Sequence, residues 1–203
     1  MTLTPRPVRI VHADDRLVVI DKPAGLLSVP GRSEPDCASA RVQADFPDAR
    51  IVHRLDQATS GLLVFARGPE AQRALSADFA ERRVAKVYLA IVAGSLTGTG
   101  MIDLPLAADW PNRPRQQVDL ARGKPSQTRW QALGADGPHT RVALEPITGR
   151  SHQLRVHLAA LGHPIVGDAL YAPPAVATAS PRLLLHASEL QIAGHHFTSA
   201  PEF

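Results

Sequence analysis

The stretch His53-Arg54-Leu55-Asp56-Gln57-Ala58-Thr59-Ser60-Gly61-Leu62-Leu63 sets one carboxylate between a basic residue and a Thr-Ser-Gly turn. The apolar run Leu62 to Ala66 follows at once. A rigid strand placed after a bend can hold the Asp out into a cleft, where a nucleophile or a base is useful. Spacing alone leaves a second reading open, because Arg-x-Asp beside Ser-Gly also describes a surface turn with a solvated ion pair, which contributes little to stability. The almost continuous apolar run from Gly61 to Arg67 predicts a strand buried on both faces.

Upstream, Val8 to Val11 and Leu17 to Lys22 read as short strands, followed by an irregular Gly- and Pro-containing loop, Pro23 to Arg32. Asp36 is placed to cap a helix running to about Phe46. Downstream, Pro69 opens a helix to about Arg83, with Ala71, Leu75 and Phe79 on one face. Lys86 to Ala93 alternates as a strand, and Leu104 to Gln116 reads as a Pro-rich loop. Val118 to Leu120, Ser126 to Leu133 and Thr140 to Ile147 are further strands. Ser151 is placed to cap a helix over His152 to Leu161, ended by Gly162 and Pro164. Ala172 to Pro181 reads as a surface loop and Arg182 to Ile192 as a closing strand. Many strands with a few interspersed helices predict an α+β fold around a mixed, mainly antiparallel sheet flanked by helices and loops.

The 203 residues suffice for one sizeable core, and 44% apolar with 20% charged residues is ordinary for a globular protein. No run approaches the roughly 18 apolar residues of a membrane span. Met1 to Arg9 is polar, without a signal-peptide core, and the lone Cys37 cannot form an internal disulfide. These features predict a cytoplasmic protein with no membrane partner. With no long exposed apolar stripe, a monomer is expected.

The net charge is +3, and Arg outnumbers Lys 19 to 3. Coding bias explains such a ratio as well as function does, although the planar guanidinium suits phosphate and base-edge contacts. Basic residues gather at Arg82, Arg83 and Lys86, at Arg113 and Arg115, and at Arg122, Lys124 and Arg129. Three clusters suggest a polyanionic partner. His152 and His157 are five apart and His195-His196 is an adjacent pair, so neither offers a metal pair at i, i+4, and no metal is expected. Gly149-Arg150-Ser151 lacks a nucleoside-triphosphate loop pattern, and Ser60 is not in a Gly-x-Ser-x-Gly elbow.

Several motifs together carry a family resemblance. His53 to Leu63 resembles the signature H-R-L-D-x-x-T-S-G-L of the RluA family of pseudouridine synthases. Lys86-Val87-Tyr88-Leu89-Ala90 resembles its second motif. Ile147 to His157, continued by Leu161 to Asp168, resembles the third, and Arg182 to Ala187 the last. Leu26 to Arg32 and Asp109-Trp110-Pro111-Asn112-Arg113-Pro114 are similar to features of the A-type member, which modifies both 23S ribosomal RNA and transfer RNA. The resemblance implies the pseudouridine synthase catalytic fold with a central cleft, as a single domain spanning residues 1–203 and without an N-terminal S4 domain.

It also implies an isomerase converting uridine to pseudouridine in an RNA stem-loop by base flipping, without a cofactor. Asp56 would be the covalent nucleophile, on the base or on the sugar. A carboxylate needs no activating base above a pKa of about 4. Arg155 would be its counter-charge, which keeps a buried carboxylate ionised; on the residues alone, Arg155 reads as a helix-surface charge. Tyr88 would be the platform for the flipped uracil and a proton-transfer group, and Leu185 an apolar wall. Arg54 would enter the RNA in place of the flipped nucleotide. Thr59 and Ser60 would hold the turn by side-chain hydrogen bonds, and Gly61 would let the backbone turn beneath Asp56. Phosphate contacts are assigned to Arg32, Arg82, Arg83, Arg113, Arg115 and Lys124. Trp110 either stacks on RNA or packs beneath the Pro-rich loop. The principal alternative is a non-catalytic RNA-binding or ribosome-assembly factor on the same fold. A retaining glycosidase would need a second carboxylate about 5 Å from the first, and the signature contains none.

Overall fold

A computed structural model describes residues 8–203. The polar segment read as lacking a signal peptide lies mostly outside them, at residues 1–7. The fold is α+β, and the chain divides into two compact units. One comprises the chain up to Ala85 together with Ala187–Glu202; the other comprises Lys86–His186 with Phe203.

The first unit begins with β1 (Arg9–Ala13) and β2 (Leu17–Lys22), paired antiparallel. After α1 (Ala38–Asp45), β3 (Ala49–Ile51) and β2 both pair antiparallel with β4 (Ser60–Arg67). The two-faced apolar run explains why β4 is interior: Ser60 through Ala66 are all buried. The helix α2 (Gly68–Ala80) follows, with Pro69 in its first turn. Ala71 and Leu75 pack it onto Leu17, Val19, Leu62 and Val64 of the sheet, as the helical spacing predicts.

Two helix boundaries differ from expectation. Cys37, in extended backbone, caps α1 by accepting from the Ala40 amide at 3.4 Å. Asp36 lies one residue too early, and its carboxylate instead takes the Arg41 guanidinium at 2.7 and 2.5 Å. The helix α2 ends at Ala80 rather than near Arg83, because Arg82 adopts a left-handed conformation (φ 59°).

The second unit starts on β5 (Ala85–Ala93) and continues through β6 (Thr99–Asp103). The expected Pro-rich loop instead forms a hairpin of β7 (Leu106–Ala108) and β8 (Gln116–Val118), with a 3-10 turn at Trp110–Asn112. Its strands are too short for a periodicity to show in the sequence. Then come β9 (Gln127–Asp136), β10 (His139–Pro146), α3 (Gln153–Ala160) and the short α4 (Pro174–Ala177), in a segment read as loop. The order β5-β10-β9-β6 is antiparallel throughout. The α3 cap is not Ser151. His152 sits there with left-handed backbone (φ 54°) and no side-chain cap, and the Gln153 side chain accepts from the Arg150 amide at 3.0 Å instead.

The chain closes with β11 (Leu185–Ile192) and β12 (His195–Thr198), a hairpin on which Leu190, Ile192 and Phe197 complete the first unit's core. Gly61, the second residue of β4, lies against the Ala187 backbone. A Cβ there would stand 2.4 Å from the Ala187 carbonyl oxygen, and the local φ of +109° suits only glycine. Its role is therefore strand-to-strand approach. We expect Gly61→Ala to destabilise the fold by several kcal/mol, through a clash with rigid backbone added to local strain. A denaturant melt within 0.5 kcal/mol of the native protein would refute this packing.

Candidate active site

In the first unit the carboxylate motif is a loop tied down on both sides. The Ser28 hydroxyl donates to the Leu55 carbonyl at 2.7 Å and accepts from the Leu55 amide at 3.1 Å. The fully buried Lys22 donates to the carbonyls of Pro23, Leu26 and Gln57 at 3.0, 2.7 and 3.1 Å. Gly25 adds an amide bond to the Gln57 carbonyl at 2.8 Å. His53 stacks on Phe79 and accepts the Val64 amide at 3.1 Å. Asp56 therefore sits, half-buried, on a fixed support, with Arg54 exposed beside it and Leu55 buried between them.

The turn is closed by the Thr59 amide donating to the Asp56 carbonyl at 3.1 Å. Thr59 and Ser60, whose side chains were expected to hold this turn, are both buried. Arg32 is exposed in the loop after β2, whereas Arg82 and Arg83 follow α2. Arg83 has its charge offset locally by Asp78, at 2.7 Å, and by Glu81. Lys22 carried no functional signal in the sequence reading. Its trace was a lysine ending β2 after an apolar run and Asp21, directly before Pro-Ala-Gly.

In the second unit, Tyr88 is half-buried on β5 opposite Leu144 of β10, and Leu185 is buried at the start of β11. Arg155 is no surface charge. It is 5% exposed, and Asp168 grips its guanidinium with two parallel bonds of 2.8 and 2.6 Å. The same carboxylate accepts the Leu170 and Tyr171 amides at 2.9 and 3.2 Å, so it is fixed before it fixes the arginine. Gly167 carries this carboxylate past the Arg182 carbonyl, where a Cβ would come within 1.8 Å.

Tyr171 is a second support that sequence reasoning missed. Its hydroxyl accepts the Gln116 amide at 2.8 Å and bonds His152 Nδ1 at 2.6 Å, while its ring lies 5.0 Å from the Arg155 guanidinium carbon. Gln153 staples the start of α3, accepting from the Thr148 hydroxyl and donating to the Gln127 carbonyl. Arg113 and Arg115 are exposed on the β7–β8 hairpin, and Lys124 pairs its main chain with Leu106 at the hairpin base. Trp110 is 67% exposed, so it does not pack beneath that loop. Burial lowers the Lys86 ammonium pKa below its usual range. No helix among the described residues is long and apolar enough to cross a membrane.

Known proteins are similar to this chain over most of its length. The RNA pseudouridylate synthase family model matches residues 16–160. This chain belongs to that family. It is 52% identical over 187 residues to the dual-specificity RNA pseudouridine synthase RluA of Escherichia coli (strain K12), covering 90% of this chain and 85% of the relative. Identity to RluA of Yersinia pestis is 50%, over 96% of both chains. Among solved structures, human RNA pseudouridylate synthase domain containing 1 superposes with a TM-score of 0.85 at 29% identity, covering 100% of this chain and 87% of that one. Human RNA pseudouridylate synthase domain containing 4 gives 0.78 at 25%, covering 96% and 89%. The chain is thus an RNA-modifying isomerase with the fold that the sequence motifs imply.

Two side chains in the second unit make measurable demands on stability. Asp168→Asn removes the charge facing buried Arg155, and should cost about 3–5 kcal/mol in chemical denaturation; a loss under 1 kcal/mol would show that the pair is dispensable. His157 donates from Nε2 to the Leu104 carbonyl at 2.9 Å and accepts the Thr128 hydroxyl at Nδ1, also at 2.9 Å. Burial lowers its pKa from the ordinary 6.5, outweighing the Leu104 carbonyl and the Asp103 charge, which favour the cation. The unfolded chain then binds the extra proton, so this contribution to stability is present above about pH 6.5 and is lost as pH falls below it. The stability gap between the native protein and His157→Gln should therefore narrow from pH 8 to pH 5.5, and a gap that widens would reverse the assignment.

Proposed function

We propose that this chain isomerises specific uridines of 23S ribosomal RNA, transfer RNA or both to pseudouridine, with Asp56 as the covalent nucleophile. The observation that carries the reading is the 50–52% identity, over at least 90% of the chain, to relatives named for dual specificity, taken with an Asp at the signature position on a rigidly held loop. The glycosidic N1–C1′ bond of uridine breaks, the base turns, and a C5–C1′ bond forms. The C5 proton is released to solvent and N1 gains one. Product and substrate have the same atoms, so no ATP, redox carrier or metal is consumed.

Tyr88 stacks the extruded uracil and its hydroxyl serves the late proton transfer. Leu185 is the apolar wall, and Arg155 supplies the counter-charge, its plane set by Asp168. Arg54 fills the space left by the flipped nucleotide. Thr59 shapes the turn, and Arg32, Arg82, Arg83, Arg113, Arg115 and Lys124 meet phosphates. The protein works as a monomeric, single catalytic domain in the cytoplasm.

The test is tritium release from 5-tritiated uridine in ribosomal and transfer RNA. Native protein should release tritium from one or both pools. Asp56→Asn should release none while keeping RNA affinity within a few-fold, and residual turnover would remove the nucleophile assignment. Tyr88→Phe should bind normally but turn over more slowly; an unchanged rate would confine Tyr88 to stacking. Binding without release by the native protein would favour the RNA-binding-factor reading.

A further inference from the structure

The β7–β8 hairpin carries the largest exposed apolar side chain of the described residues, Trp110, and does so on a rigid mount. The Asn112 amide donates to the Asp109 carbonyl at 3.1 Å, the Arg115 amide to the Asn112 carbonyl at 3.0 Å, and the Asp109 amide to the Arg115 carbonyl at 3.0 Å. The Asn112 side-chain amide also spans both Asp109 carboxylate oxygens, at 3.1 and 3.0 Å, which occupies the one acid at the tip. Below the tip, the Gln116 amide is fastened to the Tyr171 hydroxyl. The indole therefore projects from a tip cross-braced by main chain and side chain.

Arg113 lies over the indole, with its guanidinium carbon 3.6 Å from the ring centroid, and Arg115 is exposed on the same hairpin. An exposed tryptophan gains nothing for the core. A fixed aromatic face beside cationic groups meets both demands of an unpaired nucleotide, a flat base to stack and a phosphate to neutralise. A base inside a duplex is already stacked on both sides, so this platform selects a nucleotide outside the helix.

We infer that Trp110, backed by Arg113, is a stacking platform for an unpaired base of the substrate loop, and so a determinant of which RNA is chosen. This rests on the reading of the chain as an RNA-modifying enzyme. A protein partner is disfavoured, since the Arg113 guanidinium lies on the indole and the tip's carboxylate is already engaged.

The experiment measures equilibrium binding in the Asp56→Asn background, which prevents turnover. The probes are an anticodon-type stem-loop RNA and the same stem closed as a blunt duplex. Trp110→Ala should weaken stem-loop binding roughly 5- to 160-fold, the range for losing one stacked base, and change duplex binding less than twofold. Trp110→Phe should restore most of the affinity. Equal weakening for both RNAs, or none for either, would overturn the inference, as would an alanine variant rescued no better by phenylalanine than by leucine. Thermal melts of the variants check that the hairpin still folds. Tritium release by the protein with Asp56 restored is read separately: its absence would sink the isomerase reading, while the loop-to-duplex ratio still judges the platform.

Discussion

Lys22 heads the largest side chains withdrawn fully from solvent, and its ammonium donates to three carbonyls drawn from two loops. A cation placed in the interior without partners would cost far more than the few kcal/mol by which proteins are stable. The chain must therefore bring the carbonyls of Pro23, Leu26 and Gln57 to one point. That requirement fixes the path of the Pro-Gly loop and of the residue next to Asp56 together. The Ser28–Leu55 exchange repeats the device one turn away. A carboxylate that must meet a reacting carbon gains from such a mount, because its position is set before the RNA arrives.

The regular elements were legible where periodicity outlasts a few residues. The two-faced run of β4 and the Ala71–Leu75 spacing of α2 announced the first unit's core, and the structure has them in those places. What escaped was short or decided by tertiary bonds. The strands β3, β6, β7 and β12 span three to five residues each, too few for alternation to register. Both expected helix caps moved by one residue, since Asp36 found Arg41 and the Gln153 amide replaced Ser151. Local propensity proposes such caps, and long side chains able to reach farther partners override it.

The candidate site divides along the same line. Asp56, Tyr88 and Arg155 stood out through motifs, while the groups that hold them in place did not. Lys22 looked like the polar end of a strand, and Asp168 closed the third motif without a role assigned to it. Tyr171 offered only an isolated aromatic near a Pro-rich segment. Each works through one hydrogen-bonding geometry that becomes visible only after residues far apart in sequence meet, as in the contacts of Tyr171 with Gln116 and His152. Supporting residues leave a weak trace because their chemistry is ordinary and their placement is not.

The ion pairs carry a further consequence. Arg41, Arg67, Arg83, Arg122, Arg129, Arg141 and Arg155 each face an Asp or Glu within 3.4 Å. Seven of the 22 basic residues thus have a carboxylate beside them within the molecule itself. A polyanion approaching from solution meets the exposed Arg32, Arg54 and Arg82 of the first unit and Arg113, Arg115 and Lys124 of the second. A cation already offset by a neighbouring carboxylate adds little to sequence-independent attraction, which depends on phosphates neutralised and counterions released. The pull on a passing polyanion is therefore set by fewer charges than the arginine count alone implies.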